Sequence, residues 1–203
     1  MILHTAQNPA PNPRRVRIFL AEKGIEVPET RVQMMKGEHK SPEFLAKNSL
    51  GQVPTLELDD GTCIAESVAI CRYFDEMQPD PPMFGTTPVE KAQSEMWLRR
   101  VELKVWKPVL DFWMYAHPRT AAVLPRYEDF GATSCENYRK AQKWVDDELK
   151  GRTWLAGDSY SMADVCLLTS VDFADWIGLP VDPALERLTA WRARATARPS
   201  ASA

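Results

Sequence analysis

The stretch GQVPTLELDDG, residues 51–61, has the alternating apolar and polar side chains of a short strand, but a proline stands where that strand begins. Pro54 has no amide hydrogen to donate to a neighbouring strand, which restricts it to an edge strand or to a strand end. Asp60-Gly61 is a strong turn signal between two apolar runs, so the stretch predicts a β-hairpin. Two interpretations of Pro54 are open: an ordinary edge strand, or a place where the backbone N–H and C=O of Val53 stay free to bind a ligand.

Strands and helices alternate on both sides of this hairpin. Asn12 is a favoured N-cap and Pro13 is tolerated at the first helical position, so a helix is predicted to begin there and to end at Gly24. The other predicted elements of this half are a strand over 1–5, a strand over 30–34, a short helix capped by Ser41 and a helix over 67–77.

A proline-rich segment, QPDPPMFGTTP at 78–88, separates this half from the rest of the chain. Its four prolines and one glycine favour an extended connection rather than a helix or a strand. Beyond it the apolar spacing predicts helices alone: one over 89–115 with a kink at Pro108, one over about 136–149, one opened by a Ser161–Asp164 capping box, and one over about 183–196. The predicted fold class is therefore α/β plus all-α, with domains at 1–78 and 89–203 and a linker at 79–88.

The composition is that of an ordinary globular chain of 203 residues, 44% hydrophobic, with a formal net charge of −3. That charge gives no reason to expect a nucleic-acid partner, and no apolar run of about 18 residues predicts a membrane span. The N-terminal residues lack the pattern of a secretory signal. The four cysteines show no C-x-x-C spacing, which favours a reduced, cytoplasmic location. The three histidines lack metal-ligand spacing, so no metal site is expected, and His4 and His117 are interpreted as structural.

The order of elements resembles that of the cytosolic glutathione transferase family. The resemblance covers nearly the whole chain, and the theta-like and fungal-type branch is the most similar. It implies a thioredoxin-like glutathione-binding domain (βαβ-α-ββα), an all-helical domain that forms the pocket for an electrophile, and a homodimer. The motifs that carry it are GQVPTLELDDG, IAES at 64–67, GDSYSMADV at 157–165, ARPS at 197–200, RVRIFLAEKGI at 15–25 and KGEHKSPEFLAKN at 36–48.

The resemblance also implies a role for the residues around the hairpin. In the family the proline is cis, and the residue before it pairs its backbone with the cysteinyl backbone of glutathione, which assigns that role to Val53 and Pro54. Glu66 and Ser67 would hold the γ-glutamyl end, because an α-carboxylate suits a helix N-terminus and an ammonium group suits a carboxylate. From the residues alone, Ser67 as a plain helix cap stays open.

The glycyl end of glutathione carries a carboxylate, and theta-like relatives place a basic residue over it. The resemblance assigns this contact to His39 and Gln52, with Lys40 as a further candidate. The residues alone also allow a solvated charge cluster with no ligand.

The sequence offers several candidates for the group that activates the thiol. Many relatives carry Ser, Tyr or Cys just before the first helix, where this chain has Pro11, so the chain departs from the usual serine mechanism. Lowering a thiol pKa by ~2 units takes about 2.7 kcal/mol, whereas a helix N-terminus typically supplies ~0.3–1 kcal/mol. A hydrogen bond to the charged sulfur, worth ~1.5–3 kcal/mol, would close the gap. We prefer Asn12 as donor, although a capping role alone is as well supported; the other candidates are Asn8, Gln7, Thr5, a backbone N–H and a held water.

The sequence thus predicts a glutathione transferase, in which the thiolate of glutathione attacks a hydrophobic electrophile without a cofactor. Tyr115 is the predicted pocket residue, whereas Trp106 and Phe112 are assigned to the core. Two alternatives are a glutathione-dependent peroxidase or disulfide reductase, and a non-catalytic interaction protein of the same fold. No cysteine lies near the first helix, so a mixed disulfide through the protein's own thiol is not expected.

Overall fold

The computed structural model, which describes residues 1–7 and 9–203, divides into two compact units. Unit 1 comprises Met1–Met83 and Ser200–Ala203, and unit 2 comprises Phe84–Pro199. Unit 1 contains a four-stranded sheet with helices, and the regular structure of unit 2 is helical. The predicted order of an α/β half followed by an all-helical half is confirmed.

The sheet of unit 1 has the strand order β2-β1-β3-β4, in which β1 is parallel to β2 and β3 is antiparallel to both β1 and β4. The second strand is shorter than predicted, because the chain leaves the sheet after Val32 and forms a 3₁₀ turn over Met34–Lys36. The hairpin with its turn at Asp60-Gly61 is confirmed. The strands are β1 (Ile2–Thr5), β2 (Glu29–Arg31), β3 (Thr55–Glu57) and β4 (Cys63–Ala65).

The first helix, α1 (Pro11–Lys23), begins earlier than predicted. Ala10 occupies the N-cap position and makes no side-chain cap bond, so the prediction that Asn12 is the N-cap is wrong. The first N–H groups of a helix have no intrahelical partner, and Pro11 and Pro13 therefore both fit into the first turn. Asn12 lies between them, inside the helix. The C-terminal end is as predicted, with Gly24 in the left-handed conformation at φ 65°.

Two further helices complete unit 1. In α2 (Pro42–Leu45) the Ser41 hydroxyl accepts the predicted cap bond from the Phe44 N–H at 3.2 Å. The third, α3 (Ser67–Met77), packs on α1. At the far end of this helix pair the buried Lys23 ammonium lies 2.6 Å from Asp75 and donates to the Gln78 carbonyl at 2.7 Å, so the buried charge is compensated.

The long helix predicted over 89–115 consists of α4 (Pro88–Arg100), a π-helical segment (Val101–Trp106) and α5 (Lys107–Tyr115). A proline ring collides with the carbonyl four residues earlier and cannot bond to it. In the π-helical segment just before Pro108 each hydrogen bond spans five residues instead of four. The Lys107 N–H accordingly donates to the Glu102 carbonyl. The irregularity thus precedes the proline.

The other long helices of unit 2 also differ from their predicted starts. The first begins well before residue 136, at Glu128, where two acidic residues favour a helix N-terminus. Gly131 lets this helix approach the preceding one, since a Cβ there would lie 2.1 Å from the Ala116 Cβ. The last begins at Glu186 rather than near 183. These helices are α6 (Glu128–Glu148), α7 (Met162–Trp176) and α8 (Glu186–Thr196).

The predicted capping box at the start of α7 is confirmed and is buried. The Asp164 carboxylate accepts hydrogen bonds from the Ser161 N–H and hydroxyl, from the Leu155 N–H at 3.0 Å and from the Trp191 indole N–H at 2.9 Å. Burial raises the pKa of Asp164, and these hydrogen bonds oppose the rise. One side chain therefore ties together the loop before α7, α7 itself and α8.

Across the ranges 1–7 and 9–203, no helix combines the length with the apolar character that crossing a membrane requires.

Candidate functional site

The strand pairing brings four chain segments to one end of the unit 1 sheet. Thr5 at the end of β1 pairs with Arg31 at the end of β2, and the same end of β1 is paired through His4 with Thr55, where β3 begins. Thr55 is in turn paired with Ala65, where β4 finishes. We call this the site end of the sheet. The described segments that leave or enter it are 6–7, 9–10, 32–41, 53–54 and 66–67. The residues that the sequence assigned to glutathione lie in or beside these segments.

The Val53–Pro54 peptide bond is cis, as the resemblance implied. Among the described residues neither the N–H nor the C=O of Val53 has a hydrogen-bond partner, and Val53 is half-buried just outside β3. The pair therefore has the geometry to accept an extended backbone from outside the chain.

Asn48 fixes the turn that leads into Val53, and sequence reasoning missed it. Its buried side-chain amide donates to the Gln52 carbonyl at 2.8 Å and to the Thr55 hydroxyl at 3.2 Å, and its oxygen accepts from the Leu50 N–H at 3.1 Å. The one available signal was the turn chemistry of an Asn followed closely by Gly51.

Gly51 brings the predicted glycyl-end residues together. It has φ 58°, and a Cβ there would lie 2.4 Å from the His39 carbonyl oxygen, so the turn that contains His39 touches the turn that contains Gln52. Lys40 donates from Nζ to the Leu50 carbonyl at 2.9 Å, which engages its ammonium within the protein. The predicted contact with the glycyl carboxylate therefore suits His39 and Gln52 better than it suits Lys40.

His39 has a buried Nδ1 atom with no hydrogen-bond partner among the described residues. Burial, and then the positive charge of Lys40, lower its pKa below the usual 6.5. The lowered pKa favours the neutral ring, whose N–H can donate a hydrogen bond.

Glu66 is the one non-glycine residue with positive φ among those described, at φ 68°, and its ψ of 118° lies outside the left-handed helical region. Such a conformation is strained and is typical of functional positions. Glu66 occupies the N-cap position of α3 without a side-chain cap bond, and the buried Ser67 is the first helical residue. The interpretation of Ser67 as a plain N-cap is therefore wrong.

The thiol-activator candidates lie in or beside the connection from β1 to α1. Asn12 is half-buried in the first turn, and its buried Oδ1 has no partner among residues 1–7 and 9–203. The hydroxyl of Thr5 already accepts a hydrogen bond from Arg17 at 3.1 Å. The Gln7 carbonyl accepts from the Ala10 N–H at 3.2 Å, which makes a turn. Asn8 lies outside the described residues.

Tyr115, the predicted pocket residue, lies in unit 2 at the end of α5. Its ring is half-buried, with centroids 5.8 Å from those of Tyr127 and Phe130, and these two exposed rings were missed by sequence reasoning. Trp106 and Phe112 are only half-buried; the Trp106 ring meets Phe173 edge-on at 5.6 Å.

The remaining polar candidates have structural partners. His4 Nε2 lies 2.7 Å from Glu57, and His117 Nδ1 accepts from the Arg119 N–H at 3.2 Å. The four cysteines are free thiols, and burial raises the pKa of Cys63, which pairs with Glu57 at the other end of the hairpin. Within the part of the chain that the structure describes, no group of His, Cys, Asp and Glu could hold a metal ion.

Comparison with known proteins gives consistent matches over almost the whole chain. Residues 5–76 match the family model of the glutathione S-transferase N-terminal domain, and residues 132–199 match that of the C-terminal domain. Glutathione S-transferase 2 of Saccharomyces cerevisiae is 41% identical over 194 residues, 94% of this chain and 83% of that protein. The crystal structure of Gtt2 from Saccharomyces cerevisiae superposes with a TM-score of 0.93 at 40% identity, covering 100% of this chain and 99% of that one. Maleylacetoacetate isomerase of Pseudomonas aeruginosa is 30% identical over 178 residues, 83% of this chain and 79% of that protein.

Proposed function

Because the chain belongs to the glutathione S-transferase family, we propose that it binds glutathione at the site end of the unit 1 sheet and activates it as the thiolate. The observation that carries the proposal is the free backbone pair of Val53 at this end, beside the strained Glu66. The cysteinyl backbone of glutathione pairs with Val53 as one added antiparallel strand. Glu66 faces the ammonium group of the γ-glutamyl residue. The α-carboxylate of the same γ-glutamyl residue accepts hydrogen bonds from Ser67 and from the first N–H groups of α3.

The glycyl carboxylate lies against His39 and Gln52. Both come from segments that Asn48 and Gly51 hold in contact, so the distance between the glycyl and cysteinyl subsites is set by the protein before the ligand arrives. The imidazole donates one hydrogen bond to the carboxylate. In this way the peptide is held at both ends and along its backbone, which leaves the sulfur to be placed by the β1–α1 connection.

The reaction follows from a sulfur held in that place. The thiolate uses one electron pair to form a bond to an electrophilic carbon of a hydrophobic compound, and the leaving group departs with the pair of the broken bond. The test is formation of the thioether from glutathione and a chloronitrobenzene. If no thioether forms but an organic peroxide is turned over, the protein is instead a peroxidase or disulfide reductase. If the protein is not retained on glutathione resin, it is a non-catalytic interaction protein.

Asn12 is the proposed donor to the thiolate. Its free Oδ1 shows that the side-chain amide is not committed to a cap, so it can turn its NH₂ toward the sulfur. We expect Asn12→Asp to leave the melting temperature nearly unchanged, because the first turn of α1 carries no acidic residue and a carboxylate there suits the helix dipole. The same carboxylate disfavours a neighbouring thiolate, so the pKa of bound glutathione should rise by about one unit or more and turnover at neutral pH should fall about tenfold.

The measurement is the thiolate absorbance of bound glutathione against pH, with a melting curve of the same sample. Asn137→Asp is the matched control, since it makes the same change at an exposed position of α6 and should leave the thiol titration unchanged. An unshifted titration in a folded Asn12→Asp variant would remove Asn12 as activator and pass the role to a backbone N–H or a held water.

A homodimer is the proposed assembly. Three exposed apolar side chains recur every seven residues along α4 and the π-helical segment: Val89, Met96 and Leu103, which are 65%, 38% and 63% exposed. An apolar stripe with this period on one helix face suits packing against a second helix.

Light scattering should give twice 23.0 kDa for the wild type. The double variant Val89→Lys with Leu103→Lys should give 23.0 kDa, with an unchanged melting transition at high dilution. A wild-type monomer at micromolar concentration would contradict the proposal.

We also propose a cytoplasmic location and activity without a metal or prosthetic group. Four free thiols are compatible with a reducing compartment. Full activity after dialysis against a chelator, in protein recovered from the cytosolic fraction, is the expected result.

A further inference from the structure

Arg17 joins the second turn of α1 to the point where the chain leaves β1. From Nη1 it donates to the Thr5 hydroxyl and to the Ala6 carbonyl, both at 3.1 Å. Thr5 is the last residue of β1 and is buried, and Ala6 is the first residue of the connection to α1. A single guanidinium thus fixes the origin of this connection relative to the helix that follows it.

Two backbone hydrogen bonds also restrain the described residues of this connection. Within 1–7 and 9–203, the Thr5 carbonyl accepts from the Val32 N–H at 2.9 Å, and the Ala10 N–H closes a turn on Gln7 at 3.2 Å. Hydrogen bonds from a charged donor are stronger than neutral ones, so the two bonds from Arg17 restrain the start of the connection firmly.

We propose that Arg17 is a positioning residue for thiol activation, a role that rests on the proposed function. Of the candidate donors to the sulfur, Thr5 and Gln7 lie at the start of the connection that Arg17 holds, and Asn12 lies in the first turn of α1, the helix that Arg17 holds against the end of β1. A misplacement of about 1 Å can cost about a hundredfold in rate, so this brace sets how well the donor meets the sulfur. Glutathione itself is held by other segments, at Val53 and at Glu66.

Loss of Arg17 should therefore lower turnover while leaving the affinity for glutathione nearly unchanged. Arg17→Met keeps the apolar stem of the side chain and removes the hydrogen bonds to Thr5 and Ala6. We expect kcat to fall about tenfold or more and the pKa of bound glutathione to rise by about half a unit or more, with KM for glutathione within about threefold of wild type. Arg17→Lys retains the charge, but its ammonium lies one bond closer to the backbone than Nη1 of arginine, so we expect it to restore less than half of the lost kcat.

Arg187→Met is the matched control. Arg187 is also half-exposed and also makes a charged contact, to the buried Asp146 at 2.6 Å, but it lies in α8. The same substitution there should lower the melting temperature and leave the thiol titration where it is in the wild type. Thr5→Val, which removes one of the two acceptors without a charge change, should shift the titration in the same direction as Arg17→Met and by less.

The outcomes separate this proposal from the proposed function. If wild-type protein lowers the thiol pKa of glutathione while Arg17→Met titrates identically, the role of Arg17 is overturned and the transferase function stands. If Arg17→Met and Arg187→Met lose kcat in proportion to their lost stability with no thiol shift, Arg17 is only structural and the proposal is again overturned. If the wild type binds no glutathione, the proposed function itself fails.

Discussion

Glu66→Gln and Ser67→Ala are each expected to weaken glutathione binding about ten- to hundredfold while turnover of the bound complex stays near the wild-type value. Each substitution removes a hydrogen bond to a charged group of the ligand, worth ~1.5–3 kcal/mol. Both residues lie at the start of α3, where the first N–H groups have no intrahelical partner and the helix dipole favours a carboxylate. The loss should therefore fall on binding, seen as a higher dissociation constant by calorimetry and a higher KM for glutathione.

The controls separate binding from helix stability. Glu76→Gln removes the same charge from the exposed end of α3 and should leave binding unchanged. Glu66→Gly relaxes the backbone at φ 68° and should raise the melting temperature while binding is lost. A lower melting temperature with unchanged KM in Ser67→Ala would show that this residue serves the helix and not the ligand.

Asp164→Ala is expected to lower the free energy of unfolding by about 3 kcal/mol or more. It leaves three buried N–H donors without an acceptor, those of Leu155, Ser161 and Trp191, and an unsatisfied buried donor costs about 1–3 kcal/mol. For a chain of this length each kcal/mol shifts the melting temperature by about 2–4 °C, so a drop of about 6–12 °C should appear in a melting curve.

Two variants test that explanation. Asp164→Asn retains one oxygen, which can serve the Leu155 and Trp191 donors together, and should lose less than the alanine variant. Asp158→Ala removes an exposed carboxylate six positions earlier and should shift stability by less than about 0.5 kcal/mol. Equal melting temperatures for wild type and Asp164→Ala would contradict the role of Asp164 as the tie between α7 and α8.

The features that the sequence predicted well are those with local chemistry. A proline at a strand start, an Asp-Gly turn, the Ser41 cap and the Ser161–Asp164 capping box each act over a few residues, and each is confirmed. The helix start at Asn12 failed because two prolines stand in the first turn and either position suits a proline. The π-helical segment could not be read either, since Pro108 predicts a disturbance but not the way the preceding turn absorbs it.

The parts of the site that the sequence missed depend on distant contacts. Gly51 is required because the His39 carbonyl lies against it, and nothing local at either position announces that contact. The sequence shows Arg17 only as an arginine within a helix, whereas the structure brings it to the Thr5 hydroxyl at the end of β1 and to the Ala6 carbonyl just beyond it. The strain at Glu66 arises in the one-residue connection between β4 and α3. The contacts of Gly51 and Arg17 join segments that lie apart in the sequence, which a single sequence indicates only coarsely.

The central claim is that glutathione bound at the site end of the unit 1 sheet is a thiolate at neutral pH. Its most direct test is the ultraviolet thiolate absorbance of glutathione saturating the wild-type protein, recorded against pH and compared with free glutathione. We predict a titration with a pKa near 6.5, about two units below the free thiol at about 8.5. A bound thiol that titrates at the free value, or an absorbance that does not saturate with protein, would contradict the claim.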